Sequence, residues 1–505
     1  MDTKLVRGLV FSGDITKPTI IRDGAILVEG DMIRRVGKYE DVAKAYRYDS
    51  ELGSDHHIVI PGLVNAHHHG RALSTLQAGV ADGPLEVWLP DLFGSYRADI
   101  YCDTLLAAMN MIRLGTTTVL CHQCERDPAE VSYEEDLESS LQAFIDSGIR
   151  VGYAPAISDR NKYTYLNEEK WLSTLPKDVR DKLEPFREDD SSRLKRYFST
   201  FGYLREKYHG AQGRVQLLYG PHGPEWCSDQ LFEEIGKRAK QHNLNIHMHL
   251  SETKYQKRHA DLTYGKSAIE HLKDIDLLGP HVSFAHCVWL TAQEIRLLSE
   301  TGAIPVHNPS SNLRLHSGIS PVVSMTRAGV PVALGTDSTG LNDDDDMIQE
   351  MRLCWLIHRL PGVTSAYLES TRVFDMATTA GAKAAGFERQ VGAIEVRRKA
   401  DLVLLDGRRI LSPLMSSRIP LSDVILQRAK ASDIDTVIID GKVALREGRF
   451  PEFNEDSTLK RLTKSIVEPD TGRVRDIDAI KKSLREFYGK WDNERGYVYN
   501  PTYSD

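Results

Sequence analysis

The 505-residue chain lacks the features that mark membrane, secreted or nucleic-acid-binding proteins. It has no apolar run long enough to span a membrane, and its first residues do not form the apolar core of a signal peptide. Its formal net charge of −8 gives no basic excess for contact with nucleic acid. Its six cysteines are too few for a disulfide scaffold. We therefore expect a reduced, cytoplasmic protein with no nucleic-acid or membrane partner.

One short cysteine motif, Cys121-His122-Gln123-Cys124, has the residue types of a zinc or redox site. A zinc site would need a second cysteine pair at a suitable spacing, and the sequence has none; a thioredoxin-like context is also missing. We interpret the motif as a loop at the end of a strand.

Short β-strands are predicted at both ends of the chain. Near the N-terminus two β-prone runs flank the turn Glu29-Gly30-Asp31, and a similar pattern returns near the C-terminus around the hairpin signal Asp440-Gly441. Neither region has enough strands to bury both faces of a sheet. We therefore expect residues 1–60 and 390–455 to pack together as one composite β-sandwich domain.

Between these regions, short β-branched runs alternate with helical patterns. Eight such runs within a catalytic domain of residues 61–389 fit an α/β fold, a TIM (β/α)8 barrel distorted by insertions. The largest polar insertion, residues 158–200, is a candidate lid, and residues 456–505 form a helical C-terminal extension with no evident chemistry. The predicted strands are the one leading from 58–60 to the histidines that follow, then 116–120, 150–154, 215–219, 244–249, 282–286, 303–306 and 330–334.

The first of these strands ends in a run of three histidines. Because side chains alternate along a strand, His67 and His69 share one face and His68 points the other way. Two imidazoles on one face can bind a metal ion. The alternative is an incidental histidine cluster in a loop.

Further candidate ligands stand at the ends of other predicted strands. His249 ends the fifth strand, His286 ends the sixth and Asp337 follows the eighth. Each alone has an ordinary explanation, as a hydrogen-bonding partner or a helix cap. Because the strand ends of a barrel meet at one mouth, together they predict a metal site there.

A carboxylate stands close to this predicted site. Glu252 lies three residues after His249, just above the strand end. A divalent ion acidifies its bound water to hydroxide near neutral pH, and Glu252 is placed to carry that proton to a leaving nitrogen. Its alternative role is a first-turn carboxylate of the next helix.

The order of these motifs resembles the amidohydrolase superfamily, in the branch that contains guanine deaminase, S-adenosylhomocysteine deaminase and the triazine hydrolases. The similarity covers roughly residues 5–450. The motifs that carry it are Asn65-Ala66-His67-His68-His69, His247-Met248-His249-Leu250-Ser251-Glu252-Thr253, Ala285-His286-Cys287, Asn308-Pro309-Ser310-Ser311-Asn312-Leu313, Gly335-Thr336-Asp337-Ser338, Gly392-Ala393-Ile394-Glu395 and Ala400-Asp401-Leu402-Val403.

The resemblance implies one divalent metal ion, zinc first and iron or manganese as alternatives. Its implied ligands are His67, His69, His249 and Asp337. Asp337 would also take the proton of the attacking water, His286 would orient that water or stabilise the oxyanion, and Glu252 would protonate the ring nitrogen and then the leaving amine. Binuclear members use a carboxylated lysine on strand four, where this chain has none over residues 215–222, so we expect a mononuclear site.

Three residues are candidates for substrate binding. His222, in a Pro-His segment after strand four, corresponds to a histidine that contacts the heterocycle in adenosine-type relatives; otherwise it braces the barrel mouth. Glu86 and Trp88 follow strand one, where they can bind hydroxyls or stack on a ring. Trp88 has an equally ordinary interpretation as an apolar anchor.

The sequence therefore predicts a metal-dependent hydrolase of C–N bonds, acting on a small molecule as a homo-oligomer. The favoured reaction is hydrolytic deamination of a purine, pterin or triazine by a metal-bound hydroxide. One alternative is displacement of chloride, amine or alcohol from a triazine, urea or carbamate. Another is a non-catalytic scaffold that has kept the fold.

Overall fold

The computed structural model describes residues 2–124, 132–183, 190–363, 365, 367–469 and 471–494. The predicted insertion at 158–200 and the extension at 456–505 therefore lie partly outside the described residues. The strands within the described ranges are β1 (Thr3–Ser12), β2 (Thr19–Glu29), β3 (Met32–Lys38), β4 (Ser50–Pro61), β5 (Leu63–His68), β6 (Thr116–Gln123), β7 (Arg150–Ile157), β8 (Val215–Leu217), β9 (Gly220–Pro221), β10 (Ile246–Leu250), β11 (Val282–His286), β12 (Ile304–His307), β13 (Ala333–Leu334), β14 (Leu402–Asp406), β15 (Ile434–Ile439) and β16 (Lys442–Arg446).

Many of the helices begin at a side-chain cap that the sequence supplies. Capping boxes at Ser132, Thr253, Ser267 and Thr291 satisfy backbone N–H groups that a helix start leaves unpaired. None of the helices in the described part of the chain is both long and apolar enough to cross a membrane. The helices there are α1 (Tyr39–Ala45), α2 (Leu85–Phe93), α3 (Ile100–Arg113), α4 (Tyr133–Ser147), α5 (Glu168–Leu172), α6 (Lys177–Leu183), α7 (Asp190–Tyr208), α8 (Asp229–His242), α9 (Lys254–Tyr264), α10 (Ala268–Asp274), α11 (Ala292–Thr301), α12 (Pro309–Arg314), α13 (Val322–Arg327), α14 (Met347–Ile357), α15 (Ser370–Met376), α16 (Thr379–Ala384), α17 (Gly407–Leu411), α18 (Leu421–Arg428), α19 (Glu455–Ser465) and α20 (Thr471–Glu494).

Strands from both ends of the chain share one sheet, as expected. Over the described residues its order is β16-β15-β14-β4-β1-β2-β3. β1 and β4 run parallel, and the other neighbours are antiparallel. The predicted hairpin at Asp440-Gly441 joins β15 and β16, with both residues at positive φ (52° and 74°).

The central strands are parallel and alternate with helices, which confirms the α/β class. They form two sheets, β5-β6-β7-β8 with β9 beside β7, and β10-β11-β12-β13. Small and β-branched side chains from both sheets, such as Ala66, Ala154 and Val306, belong to one buried apolar cluster. The outer faces pack under the helices in the largest apolar cluster.

The strand predicted before the histidines is divided in the structure. Residues 58–60 belong to β4 of the terminal sheet, and the parallel strand β5 starts afresh at Leu63. Gly62 stands at the bend, where a Cβ atom would lie 2.1 Å from Thr117 Oγ1. The bend therefore needs glycine, and a continuous strand from residue 58 to the histidines is a wrong prediction.

A buried charge cluster joins the parallel strands to the terminal sheet. Arg150, the first residue of β7, donates to both carboxylate oxygens of Asp401 (3.1 and 3.0 Å) and to Asp440 Oδ1 (3.1 Å). The Arg150 side chain is completely buried. A buried charge is tolerated when it is paired and hydrogen-bonded, so the cluster fixes how the two sheet systems meet.

Candidate active site

Three of the four predicted ligands meet at the carboxyl ends of β5 and β13. Asp337 Oδ1 lies 3.4 Å from His67 Nε2 and 3.0 Å from His69 Nε2. His249, at the end of β10, stacks 5.6 Å from the His69 ring and lies 5.0 Å from His67 between ring centroids. Four residues from three separate strand ends thus lie close together, with His67 adjacent to each of the other three.

Hydrogen bonds at Nδ1 turn the Nε2 atoms of two histidines towards that point. His69 Nδ1–H donates to the His122 carbonyl (2.8 Å), and His249 Nδ1–H donates to the His222 carbonyl (2.9 Å). A ligand histidine is usually oriented in this way, because the bond at one nitrogen leaves the other as the lone-pair donor.

His67 has a different support. Its Nδ1 lies 2.8 Å from His247 Nε2, and His247 Nδ1 lies 2.7 Å from Ser283 Oγ. His67 Nε2 is buried and makes no hydrogen bond to any described residue. This buried nitrogen instead faces Asp337 Oδ1 at 3.4 Å, beyond the usual hydrogen-bond range, and that position is the one expected of a metal ligand.

The donor set fits a divalent cation. The ligand atoms of His67, His69 and Asp337 lie within 4.8 Å of one another, and so do those of His67, His249 and His286. Imidazole nitrogens with one carboxylate are typical zinc ligands, and they also accept other first-row metals. The two histidines beside Asp337 outweigh its burial and hold the pKa of its carboxyl well below the usual range, so it is ionised.

Contacts between β5 and the turn after β13 bring Asp337 to the histidines. Asn65 and Thr336 exchange two hydrogen bonds (2.7 and 3.1 Å), and Asp337 N–H donates to the His67 carbonyl (2.9 Å). A Cβ atom at Gly335 would lie 2.8 Å from His67 N, so the close approach of the two strands needs glycine. Ser311 donates to Asp337 Oδ2 (2.6 Å), which fixes the carboxylate.

Glu252 and His286 face each other beside the predicted ligands. Glu252 Oε2 lies 3.6 Å from His286 Nε2, and its Oε1 accepts a hydrogen bond from Ser317 (3.3 Å). The N-cap of α9 is Thr253, so the Glu252 side chain is not used as a cap. Burial, reinforced by the charge of Asp337, raises the pKa of Glu252 well above its ordinary value, which favours the protonated acid.

Asn312 orients His286. Its Oδ1 lies 2.8 Å from His286 Nδ1, so that nitrogen carries the proton and Nε2 faces Glu252. Burial lowers the pKa of His286, which keeps the ring neutral. His286 and Asp337 both have positive φ (76° and 59°), a backbone strain that is common at functional sites.

The predicted substrate residues lie in different surroundings. Glu86, on α2, is buried; its Oε1 accepts hydrogen bonds from Thr253 (2.5 Å) and Tyr165 (3.1 Å), and burial raises its pKa to about 7. The His222 ring lies 5.2 Å from His122 and 6.3 Å from His249. Trp88 packs in an apolar cluster with Val80, Leu85 and Leu315. The structure thus places His222 in contact with His249, Glu86 against Thr253 next to Glu252, and Trp88 among apolar side chains.

Several residues at the site were not predicted. His122 lies 4.9 Å from His249 between ring centroids, and Cys124 Sγ lies 3.5 Å from His69 Nδ1. Cys121, His122 and Gln123 belong to β6, so the interpretation of the motif as a loop at the end of a strand is wrong for these three residues. Their position at the end of a predicted strand was the signal that could have placed them at the site. Asn312 and Tyr165 belong to a short helix and to the insertion, where no strand end points to the site.

Imidazoles, one carboxylate and one carboxyl group with a raised pKa meet at the ends of parallel strands. This arrangement is typical of a metal-dependent hydrolase with a barrel-like α/β fold. The chain belongs to the amidohydrolase family: the family model of that description matches residues 58–444. This confirms the predicted family and the prediction of an enzyme acting on C–N bonds.

Relatives of this chain are deaminases. The 5'-deoxyadenosine deaminase of Methanothermobacter thermautotrophicus is 32% identical over 469 residues, which is 91% of this chain and 98% of that protein. The 5-methylthioadenosine/S-adenosylhomocysteine deaminase of Moorella thermoacetica is 29% identical over 458 residues, 88% of this chain and 95% of that protein. These relatives confirm the predicted class of reaction, which is hydrolytic deamination of a nitrogen heterocycle.

Solved structures share the fold. A zinc-bound adenosine deaminase from Xanthomonas campestris superposes with a TM-score of 0.76 at 23% identity, covering 95% of this chain and 98% of that one. Zinc-bound atrazine chlorohydrolase from Arthrobacter aurescens gives 0.75 at 21% identity, covering 91% and 99%. These neighbours support a TIM-barrel-like α/β architecture for the part of the chain that carries the parallel strands.

Proposed function

We propose that this protein is a mononuclear, metal-dependent deaminase of adenine nucleosides. The observation that carries the proposal is the convergence of His67, His69, His249 and Asp337 beside the Glu252–His286 pair. Deaminases named among the relatives act on 5'-deoxyadenosine and on 5-methylthioadenosine or S-adenosylhomocysteine, which share an adenine ring and a sugar.

His67, His69, His249 and Asp337 would hold one divalent ion, zinc first and iron or manganese as alternatives. When bound, the ion supplies an acidified water at neutral pH. The lack of a lysine over residues 215–222 supports one ion, since no carboxylated lysine is available there to bridge a second.

The chain's own residues divide the proton transfers. Asp337 Oδ2, held by Ser311, takes a proton from the attacking water. Glu252 starts protonated, gives its proton to the ring nitrogen, takes one from the hydroxyl now on the ring carbon and passes it to the exocyclic amine, which leaves as ammonia. The proton held by Asp337 then restores the acid form of Glu252. His286, neutral and fixed by Asn312 with its proton on Nδ1, presents the Nε2 lone pair and orients the attacking water by accepting a hydrogen bond from it. The net change is exchange of an amino group for an oxygen from water.

Glu86 and His222 are the proposed contacts to the rest of the substrate. Glu86 Oε2 is buried and has no hydrogen-bond partner within the described residues, so a sugar hydroxyl would satisfy it. His222 Nδ1 is also buried without a partner in that part of the chain, which supports contact with the heterocycle. Trp88, which is also on α2, would support this pocket by packing against Val80, Leu85 and Leu315.

The test is a comparison of leaving groups. Purified protein loaded with zinc is incubated with 5'-deoxyadenosine, aminated pterins and chloro-, alkoxy- and amino-triazines, and ammonia, chloride and alcohol are measured. We expect ammonia release from the nucleoside to be fastest. Faster release of chloride or alcohol from a triazine would replace the proposal with the hydrolase alternative.

We also propose that the two parallel sheets close into a distorted (β/α)8 barrel and that the terminal sheet folds into a β-sandwich. An isolated bridge between Tyr219 and Ile246 supports closure on one side, and the bond from Asp337 N–H to the His67 carbonyl supports it on the other. For the sandwich, the edge strand β3 is bonded to the segment before β14, through Ile33 N–H to the Arg398 carbonyl (2.8 Å).

The proposed domains are residues 1–60 with 390–455, residues 61–389, and the extension 456–505, of which 470 and 495–505 lie outside the described residues. We further propose a cytoplasmic homo-oligomer. The six free cysteines support a reducing compartment, and the exposed side chains of Val363, Tyr367 and Leu414 supply apolar surface for association.

A further inference from the structure

The C-terminal helix α20 contacts the segments that carry the substrate-side residues. Lys481 pairs with Asp91 on α2, the helix that bears Glu86. Lys254, the first residue of α9, pairs with Asp492 (2.5 Å), directly after the Glu252-Thr253 corner. α20 therefore bridges two elements that flank the pocket.

An apolar cluster joins α20 to the insertion as well. It combines buried side chains from α2, from the start of the insertion and from α20. Its members include Val87, Tyr165, Trp171, Ile480, Leu484 and Tyr488. Because these side chains exclude water, the polar groups among them must find partners within the protein.

Hydrogen bonds link Tyr488 on α20 to Tyr165 in the insertion, and Tyr165 to Glu86 on α2. Tyr488 Oη accepts the backbone N–H of Tyr165 (3.2 Å), and Tyr165 O–H donates to Glu86 Oε1 (3.1 Å). Thr253 donates to the same oxygen (2.5 Å). Glu86 Oε1 is thus doubly held, while the buried Oε2 has no partner among the described residues. The free oxygen is therefore the one presented to a ligand.

We propose that Tyr165 and Tyr488 are positioning residues that hold Glu86 for the sugar of the substrate, which makes α20 part of substrate recognition. This inference rests on the proposed function, in which Glu86 accepts sugar hydroxyls. Without the Tyr165 hydroxyl, Oε1 keeps only Thr253, and the carboxylate can turn so that neither oxygen is fixed. The metal ligands and Glu252 belong to other elements and keep their contacts.

Three single-atom changes separate positioning from general packing. Tyr165→Phe removes the hydroxyl bonded to Glu86, and Tyr488→Phe removes the acceptor of the Tyr165 N–H; both keep their rings in the cluster. Tyr255→Phe is the matched control, since its hydroxyl also ties α9 to α20, through Asp492 (3.0 Å), without touching Glu86. Each variant is assayed with 5'-deoxyadenosine and with 2',3',5'-trideoxyadenosine, which lacks the sugar hydroxyls.

With 5'-deoxyadenosine we expect Tyr165→Phe to raise KM about tenfold, the loss of one hydrogen bond to a charged group, with kcat and metal content little changed. Tyr488→Phe should raise KM by a smaller factor, and Tyr255→Phe should match the wild type. With the trideoxy substrate all four proteins should have the same KM.

Two results would overturn this inference and leave the proposed function standing. One is an unchanged KM in both Tyr165→Phe and Tyr488→Phe; the other is an equal rise of KM on the two substrates. If one of these variants does not fold, the other decides. A wild-type protein that deaminates neither nucleoside would instead overturn the proposed function, and this inference with it.

Discussion

Replacing Glu252 by glutamine separates proton transfer from metal binding. Glutamine has the volume of the glutamic acid and can keep the hydrogen bond from Ser317 at Oε1. Because burial raises the pKa of Glu252 and so favours its neutral acid form, glutamine matches that form in both charge and shape. The four proposed metal ligands are untouched, so folding and metal content should persist.

The magnitude follows from the role of the group. A positioned acid–base residue contributes about 10²–10⁴-fold to the rate. Loss of that contribution raises the barrier by about 3–5 kcal/mol, at about 1.36 kcal/mol for each tenfold. Wild-type kcat/KM should also fall as pH rises through the raised pKa of Glu252, because the acid form is then lost, and Glu252→Gln should lack that fall.

The assay is ammonia release at saturating 5'-deoxyadenosine, with metal content measured on the same preparation. Glu225→Gln is the matched control, since Glu225 is another buried carboxyl near the site, with a pKa raised by burial to about 8. We expect the control to stay within a few-fold of the wild type. If Glu252→Gln binds one metal and retains turnover within tenfold of wild type, Glu252 does not carry the proton.

Three further substitutions test the ligands, the orientation of His286 and the joint between the sheets. His69→Ala should lose both metal and turnover. The ring of His68 faces Asp345 (3.1 Å) instead, so His68→Ala should keep both. Equal metal content in the two variants would contradict the ligand set. Asn312→Ala removes the partner of His286 Nδ1 and should lower kcat about 10–100-fold with metal retained, as metal analysis and kinetics would show. Arg150→Met leaves the buried carboxylate of Asp401 without its cationic partner and should lower the free energy of unfolding by about 3–5 kcal/mol in urea titrations; an unchanged free energy of unfolding would show that the cluster does not stabilise the fold.

The histidines and Asp337 were predictable because each stands at the end of a β-branched run, and parallel strands place such ends together. Strand alternation correctly separated His68, which contacts Asp345, from its neighbours on either side. The composite terminal sheet was predictable because neither end of the chain could bury a sheet alone.

Other features depend on contacts that strand patterns do not encode. The division between β4 and β5 is set by the close approach of Gly62 to Thr117, far along the chain. Asn312 reaches His286 from a six-residue helix, and Tyr165 reaches Glu86 from the insertion. The C-terminal extension showed no chemistry in its own sequence, because its ion pairs with Asp91 on α2 and Lys254 on α9 join residues far apart along the chain.

A zinc titration tests most directly whether one divalent ion at the histidine–aspartate cluster supports the proposed hydrolytic deamination. Metal-free protein is titrated with zinc while ammonia release from 5'-deoxyadenosine is followed. We predict that activity is absent at the start, rises linearly and reaches its plateau at one ion per chain. A plateau at two ions, or no ammonia at any zinc level, would contradict the account.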